Sequence, residues 1–200
     1  MNEPRQRKDN RGFTWVEVIV ALSIFSILAA FAYQVLMIPT CGRGMTFTLS
    51  NMKQLHLAAL AAVQDGIATG DTNLGWPGDT GGTFTNWMHQ LVPAYLSTND
   101  FCKLLSAPGK IVPPGALPAA MSESAVLVYA VRESSPTNAV FLTTANFINE
   151  PAGGQRLQAT AKPFGKKGFL AFRKNGEGDI FMAKKVADTN AIGSYVPLLK

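Results

Sequence analysis

Charge is scarce in this chain. Only 16% of its 200 residues are Asp, Glu, Lys or Arg, against roughly a quarter in an average soluble domain, while 47% are hydrophobic. Disorder throughout is excluded, and part of the apolar content is free to face lipid. Cysteine is limited to Cys41 and Cys102, which excludes a disulfide framework, and no Cys/His cluster has zinc-ligand spacing. The two histidines, His56 and His89, stand far apart and read as structural. Ser122, Ser124, Ser134 and Ser135 occupy no G-x-S-x-G frame and suggest no triad. An enzyme is therefore not expected. The length allows one ordinary domain with an appendage, or at most two small domains.

What the chain does have is a long apolar run. Residues 18–38, VIVALSIFSILAAFAYQVLMI, carry no charge, and only Ser23, Ser26 and Gln34 are plainly polar. As a helix this stretch rises about 31 Å, enough for a hydrocarbon core of about 30 Å, so the sequence predicts a membrane span. The tract before it is polar and net basic through Arg5, Arg7, Lys8 and Arg11. The positive-inside rule then predicts a cytoplasmic N-terminus and a periplasmic C-terminal domain on a single-pass inner-membrane protein. Glu17 does not fit a plain anchor, because a carboxylate inside a membrane costs roughly 2.5 to 3.5 kcal/mol even on lenient insertion scales. It calls for a cationic partner.

The string Arg11-Gly12-Phe13-Thr14-Trp15-Val16-Glu17 and the run after it resemble the class III signal of type IV pilins and type II secretion pseudopilins. The resemblance implies that a prepilin peptidase cuts between Gly12 and Phe13 and that Phe13 becomes the N-methylated first residue. It also implies that Glu17 meets the N-terminal ammonium of a neighbouring subunit, setting register during assembly. Trp15 departs from the usual Leu but stays apolar. Cutting after Gly12 removes the basic leader and creates an ammonium four residues before Glu17, so a buried carboxylate gains a partner. Three other readings of the segment stay open. Signal-peptidase cleavage would follow Ala30-Phe31-Ala32, a lipoprotein site would use Cys41, and a plain anchor would leave Glu17 unexplained.

The implied function is a structural subunit of a type II secretion pseudopilus or type IV pilus-like filament, assembled through its N-terminal helix. Its partners would be copies of itself or other pilin-like subunits, the prepilin peptidase, an inner-membrane assembly platform and membrane lipid. The alternatives are a membrane-anchored periplasmic binding module that does not polymerise, and a DNA-capturing competence pilin. For the last, Lys162, Lys166, Lys167, Arg173, Lys174, Lys184, Lys185 and Lys200 concentrate basic charge on the strand region. Nucleic acid is nevertheless not the expected partner, since lysines on strands more often mark a solvated edge.

The expected organisation is a cleaved leader over 1–12, a transmembrane and assembly helix over 13–38, and an exported pilin-like domain over 39–200. Pro39, Gly42 and Gly44 predict a break near Pro39. An amphipathic helix then starts with Ser50 or Asn51 as N-cap and stops at Gly66. A loop over 66–82, a short helix over 87–92 and an irregular connection over 97–124 follow. Runs at 125–132, 139–144, 168–173 and 179–185 read as strands, with Asn175-Gly176-Glu177-Gly178 as the last hairpin. The fold class is thus α+β, a long N-terminal apolar helix continuing into an amphipathic helix packed on a C-terminal antiparallel sheet.

No cofactor is required by these motifs. Calcium is the cation that two oxygen-rich stretches would suit, Asp71, Asn73 and Asp79 in the loop, and Asn175, Glu177 and Asp179 in the hairpin. Neither matches an EF-hand, and ordinary turn chemistry explains both. A disulfide between Cys41 and Cys102 is left open by the expected oxidising compartment.

Overall fold

The computed structural model describes the backbone of residues 15–36, 40–149, 156–158, 160–183 and 192–200, with side chains described at these positions except 30–36, 40–43 and 156. It divides into two compact units, Met1–Thr40 and Cys41–Lys200.

In the first unit the described element is helix α1 (Trp15–Leu36). Ser23 Oγ and Ser26 Oγ each donate to the carbonyl four residues earlier, Ile19 O and Leu22 O, at 2.8 Å, so both hydroxyls are satisfied inside the helix. Trp15, Ile19, Leu22 and Phe25 are exposed. Among the described residues, however, no helix is long and apolar enough to cross a membrane. The first turn of α1 also holds the charged Glu17. This corrects the expected long apolar membrane-spanning helix. It equally corrects the single-pass inner-membrane placement with a periplasmic domain and the pilus or pseudopilus subunit, with its anchored and DNA-capturing alternatives, because each of these was built on that span. The break near Pro39 and the cleavage site at Gly12 and Phe13 lie outside the described residues.

All of helix α2 (Thr40–Thr69) but its first residue lies in the second unit, and it starts ten residues before Ser50, the earlier of the two expected caps, Ser50 or Asn51. Packing is the reason. Met45 and Thr48 are buried, Thr48 Oγ1 donates to Gly44 O at 3.0 Å, and Gly44 lies against Pro108, where a Cβ would come within 3.0 Å of the ring. Tertiary contacts of this kind outweigh the roughly 1 kcal/mol that a helical glycine costs. Gly66, read as the stop, is inside α2. A Cβ there would lie 2.3 Å from Leu74 O, so the glycine admits the returning loop. The helix closes at Gly70, whose N–H donates to Gly66 O at 2.9 Å with φ +73°.

Helix α3 (Phe84–Leu91) is capped by Thr83, whose side chain accepts from Asn86 N. Helix α4 (Thr98–Leu104) lies in the stretch read as irregular. Ser97 accepts from Asp100 N at 3.1 Å and donates to Asp100 Oδ2 at 2.7 Å. This S-x-x-D cap was a signal present in the sequence.

The strands are β1 (Val126–Val128), β2 (Val140–Thr144), β3 (Phe147–Ile148), β4 (Arg156–Leu157), β5 (Gly168–Arg173) and β6 (Gly178–Met182). A four-stranded antiparallel sheet runs β1-β2-β5-β6, and β3 pairs with β4. The α+β class and the antiparallel sheet are as expected. β1 is shorter than the run at 125–132, because Val131 N turns back to Tyr129 O while the C-terminal tail takes the edge through Ala130 N to Pro197 O and Leu199 N to Val128 O. β2 is buried along its whole length. Phe141 sits where its register against β5 shifts. Phe169 and Phe172, three residues apart on β5, fall on opposite faces. Phe172 meets His56 of α2 at 5.3 Å between centroids, while Phe169 stacks on Phe147 at 3.8 Å and on Phe181 at 4.9 Å.

Candidate functional site

Of the three residues expected to carry processing and register, Gly12 and Phe13 lie outside the described residues. Glu17 is exposed in the first turn of α1, where the unpaired N–H groups of a helix start favour a carboxylate.

Cys102 is a buried free thiol whose Sγ lies 3.3 Å from Ala116 O. Burial pushes its pKa up, which favours the inert thiol over the thiolate. The side chain of Cys41 lies outside the described ones.

The hairpin residues considered for calcium are held together by an arginine. Arg173, almost buried, pairs with Asp179 at 2.7 Å and Glu177 at 3.4 Å, and its Nε donates to Ile192 O at 3.1 Å. Asn175 Oδ1 accepts from Glu177 N at 3.1 Å. A guanidinium thus occupies the charge field that a cation would need. Removing it in Arg173→Ala is expected to cost about 1 to 3 kcal/mol, read as a lower urea midpoint. Restoration by Arg173→Lys should be partial, since an ammonium cannot hold both carboxylates and Ile192 O in one plane.

In the loop, Asp71 Oδ1 accepts from Asn73 N at 2.9 Å and Asn73 Nδ2 at 3.0 Å, closing an Asx turn. Asp79 Oδ2 accepts from Glu133 N at 2.8 Å. Among the described residues no group of three or more His, Cys, Asp or Glu side chains is placed to hold a metal. Of the lysines read as a basic face, Lys162, Lys166 and Lys167 are exposed, whereas Lys184 and Lys185 lie outside the described residues.

The sequence reading passed over the polar junction around His56. That side chain is 6% exposed on α2, ringed by Trp76, Phe141 and Phe172 at 6.0, 5.9 and 5.3 Å between centroids. Its Nε2 lies 2.8 Å from Lys174 O. Trp76 Nε1 donates to Glu133 Oε2 at 2.8 Å, and the Lys174 ammonium lies 5.6 Å from the Trp76 ring centroid while donating to the carbonyls of Glu133 and Ser135. Four segments distant in sequence meet here. His89, by contrast, is exposed on α3. Beside the junction lies a cleft of about 460 Å³ lined by Ile67, Asp71, Trp76, Asp79 and Glu133. A more apolar groove of about 600 Å³ runs between Phe47, Lys103, Pro108, Ile111 and Pro114.

Comparison with known proteins reaches only the N-terminal segment. Residues 7–33 match the family described as prokaryotic N-terminal methylation motif. The chain carries an N-terminal methylation motif. That signal is typical of type IV pilin-like proteins, and the matched residues include Gly12, Phe13 and Glu17. No curated protein and no solved structure matches the chain. The methylation motif is thus joined to an α+β unit whose relatives the comparisons do not supply.

Proposed function

We propose that this chain is a type IV pilin-like protein processed by a prepilin peptidase, which cuts between Gly12 and Phe13 and methylates the new terminus at Phe13. The motif over 7–33 carries this reading. Its chemistry is coherent, because cleavage removes Arg5, Arg7, Lys8 and Arg11 and leaves an ammonium four residues before Glu17, a cation for that carboxylate in the same or a neighbouring chain. The Cys41–Lys200 unit serves as a noncatalytic interaction domain whose partners are other chains bearing the motif.

Intact mass and N-terminal sequencing of the protein from cells that contain a prepilin peptidase test the reading. A chain beginning at methylated Phe13 is expected, and Gly12→Val should leave the leader attached. A start at Met1 in the unmutated protein, or at Tyr33 after signal-peptidase cleavage, would overturn it.

A further inference from the structure

We propose that His56 is an acid-sensitive latch that holds the 70–82 loop and the 174–177 turn against α2, and releases them when the imidazole takes up a second proton. Lys174 O can only accept, so the proton of the neutral ring sits on Nε2 and points at that carbonyl. Nδ1 is then the atom that protonates. It faces Gly176, where a Cβ would stand 3.4 Å from His56 Cε1 and 3.9 Å from Nδ1, so the turn backbone lies directly over this edge of the ring. The remaining surroundings are the rings of Trp76, Phe141 and Phe172. Such an environment accommodates a neutral imidazole and disfavours an imidazolium.

The charges around the box have both signs. Lys53 lies one turn earlier on α2, and Lys174 reaches Trp76 from the hairpin. Arg173 beside it is paired with Glu177 and Asp179. On the loop side Glu133, Asp79 and Asp71 are the carboxylates, but Glu133 already accepts from Trp76 Nε1, Asp79 from Glu133 N and Asp71 from Asn73. Burial is the leading influence and holds His56 below the ordinary histidine range, with the Lys174 carbonyl offsetting part of it. Because the closed form has the lower pKa, the open form binds the proton more readily. Closure is therefore fully favoured above about pH 6.5, the value of a solvated histidine, and weakens as pH falls below it.

The geometry also says what opens. The His56 box, the Trp76–Glu133 bond and the Lys174 contacts share Trp76 and Lys174, so losing the imidazole's fit loosens all three. The cleft of about 460 Å³ has Trp76, Asp79 and Glu133 in its wall, so its shape becomes pH-dependent.

Hydrogen exchange of the full chain at pH 7.5 and 5.5, corrected for the intrinsic rate at each pH, tests the latch. Amides of 70–82 and 174–177 are expected to show an opening equilibrium about tenfold larger at pH 5.5, one proton per opening. In His56→Gln, which can still donate to Lys174 O but does not titrate, the ratio should stay near one. A flat wild-type ratio, or the same rise in His56→Gln, would overturn the proposal. If His56→Gln does not fold, the Cε1–H resonance of His56 in the unmutated chain decides. A titration midpoint below about 6.5, the value of a solvated histidine, is expected, and one at or above it would overturn the latch.

Discussion

Phe141→Ala is expected to lower the stability of the Cys41–Lys200 unit by about 3 to 5 kcal/mol, the cost of an aromatic removed from a core that cannot fully close over the void. The position justifies the upper part of that range. Phe141 is completely buried and meets Trp76 edge-on at 5.5 Å, Trp87 at 6.3 Å and His56 at 5.9 Å between centroids. One ring therefore joins α2, α3 and the 70–82 loop to the sheet. These neighbours are themselves large and fixed, with Trp87 packed on Phe84 and Phe101, so their movement into the cavity is restricted. Urea unfolding should show a lower midpoint with an unchanged slope. A loss below about 1 kcal/mol would mean that the pocket collapses, and that the ring does not join these elements.

Gly168→Ala is the second large effect, and it arises from the main chain. Gly168 opens β5 with φ +149° and ψ −170°, a region of the map that is essentially glycine's alone. A Cβ there would lie 2.2 Å from Phe181 O, a backbone atom of β6 that cannot swing aside as a side-chain end would. Strain and clash together should cost about 3 kcal/mol or more. Gly82 is the control, with φ +65° and nothing within 4 Å of a built Cβ, so Gly82→Ala carries only the left-handed penalty of about 1 to 2 kcal/mol. Thermal unfolding of the two variants separates the causes. Equal losses would assign the effect to backbone conformation and remove the role given to the Phe181 contact.

Much of the sheet could be read locally. The runs at 139–144 and 168–173 are β-branched and aromatic segments bounded by turn residues, and β2 and β5 fall within a residue of them. The hairpin at 175–178 forms as its Asn-Gly pattern suggests, with Gly176 at φ +87° and Arg173 N bonded to Glu177 O. The cap of α4 is local as well, a Ser97-x-x-Asp100 pattern, while the prolines after it give the whole stretch the look of one irregular connection.

Other elements have no local signature. The first turns of α2 contain two glycines and look like a break until Pro108 and the buried Met45 are brought beside them. The apolar run could be read only as a hydropathy pattern, and within the described residues it does not become a membrane-crossing helix.

The sequence by itself determined the N-terminal methylation motif over residues 7–33, the α+β class and the central strand runs, because these depend on spacing along the chain. Only the tertiary structure decided the sheet order β1-β2-β5-β6, the pairing of Arg173 with Asp179 and Glu177, and the His56 junction. His56 lies 118 residues from Lys174 in the chain. A hydrogen bond and an aromatic box acting at about 3 to 6 Å leave no trace in neighbouring residues until folding closes that separation.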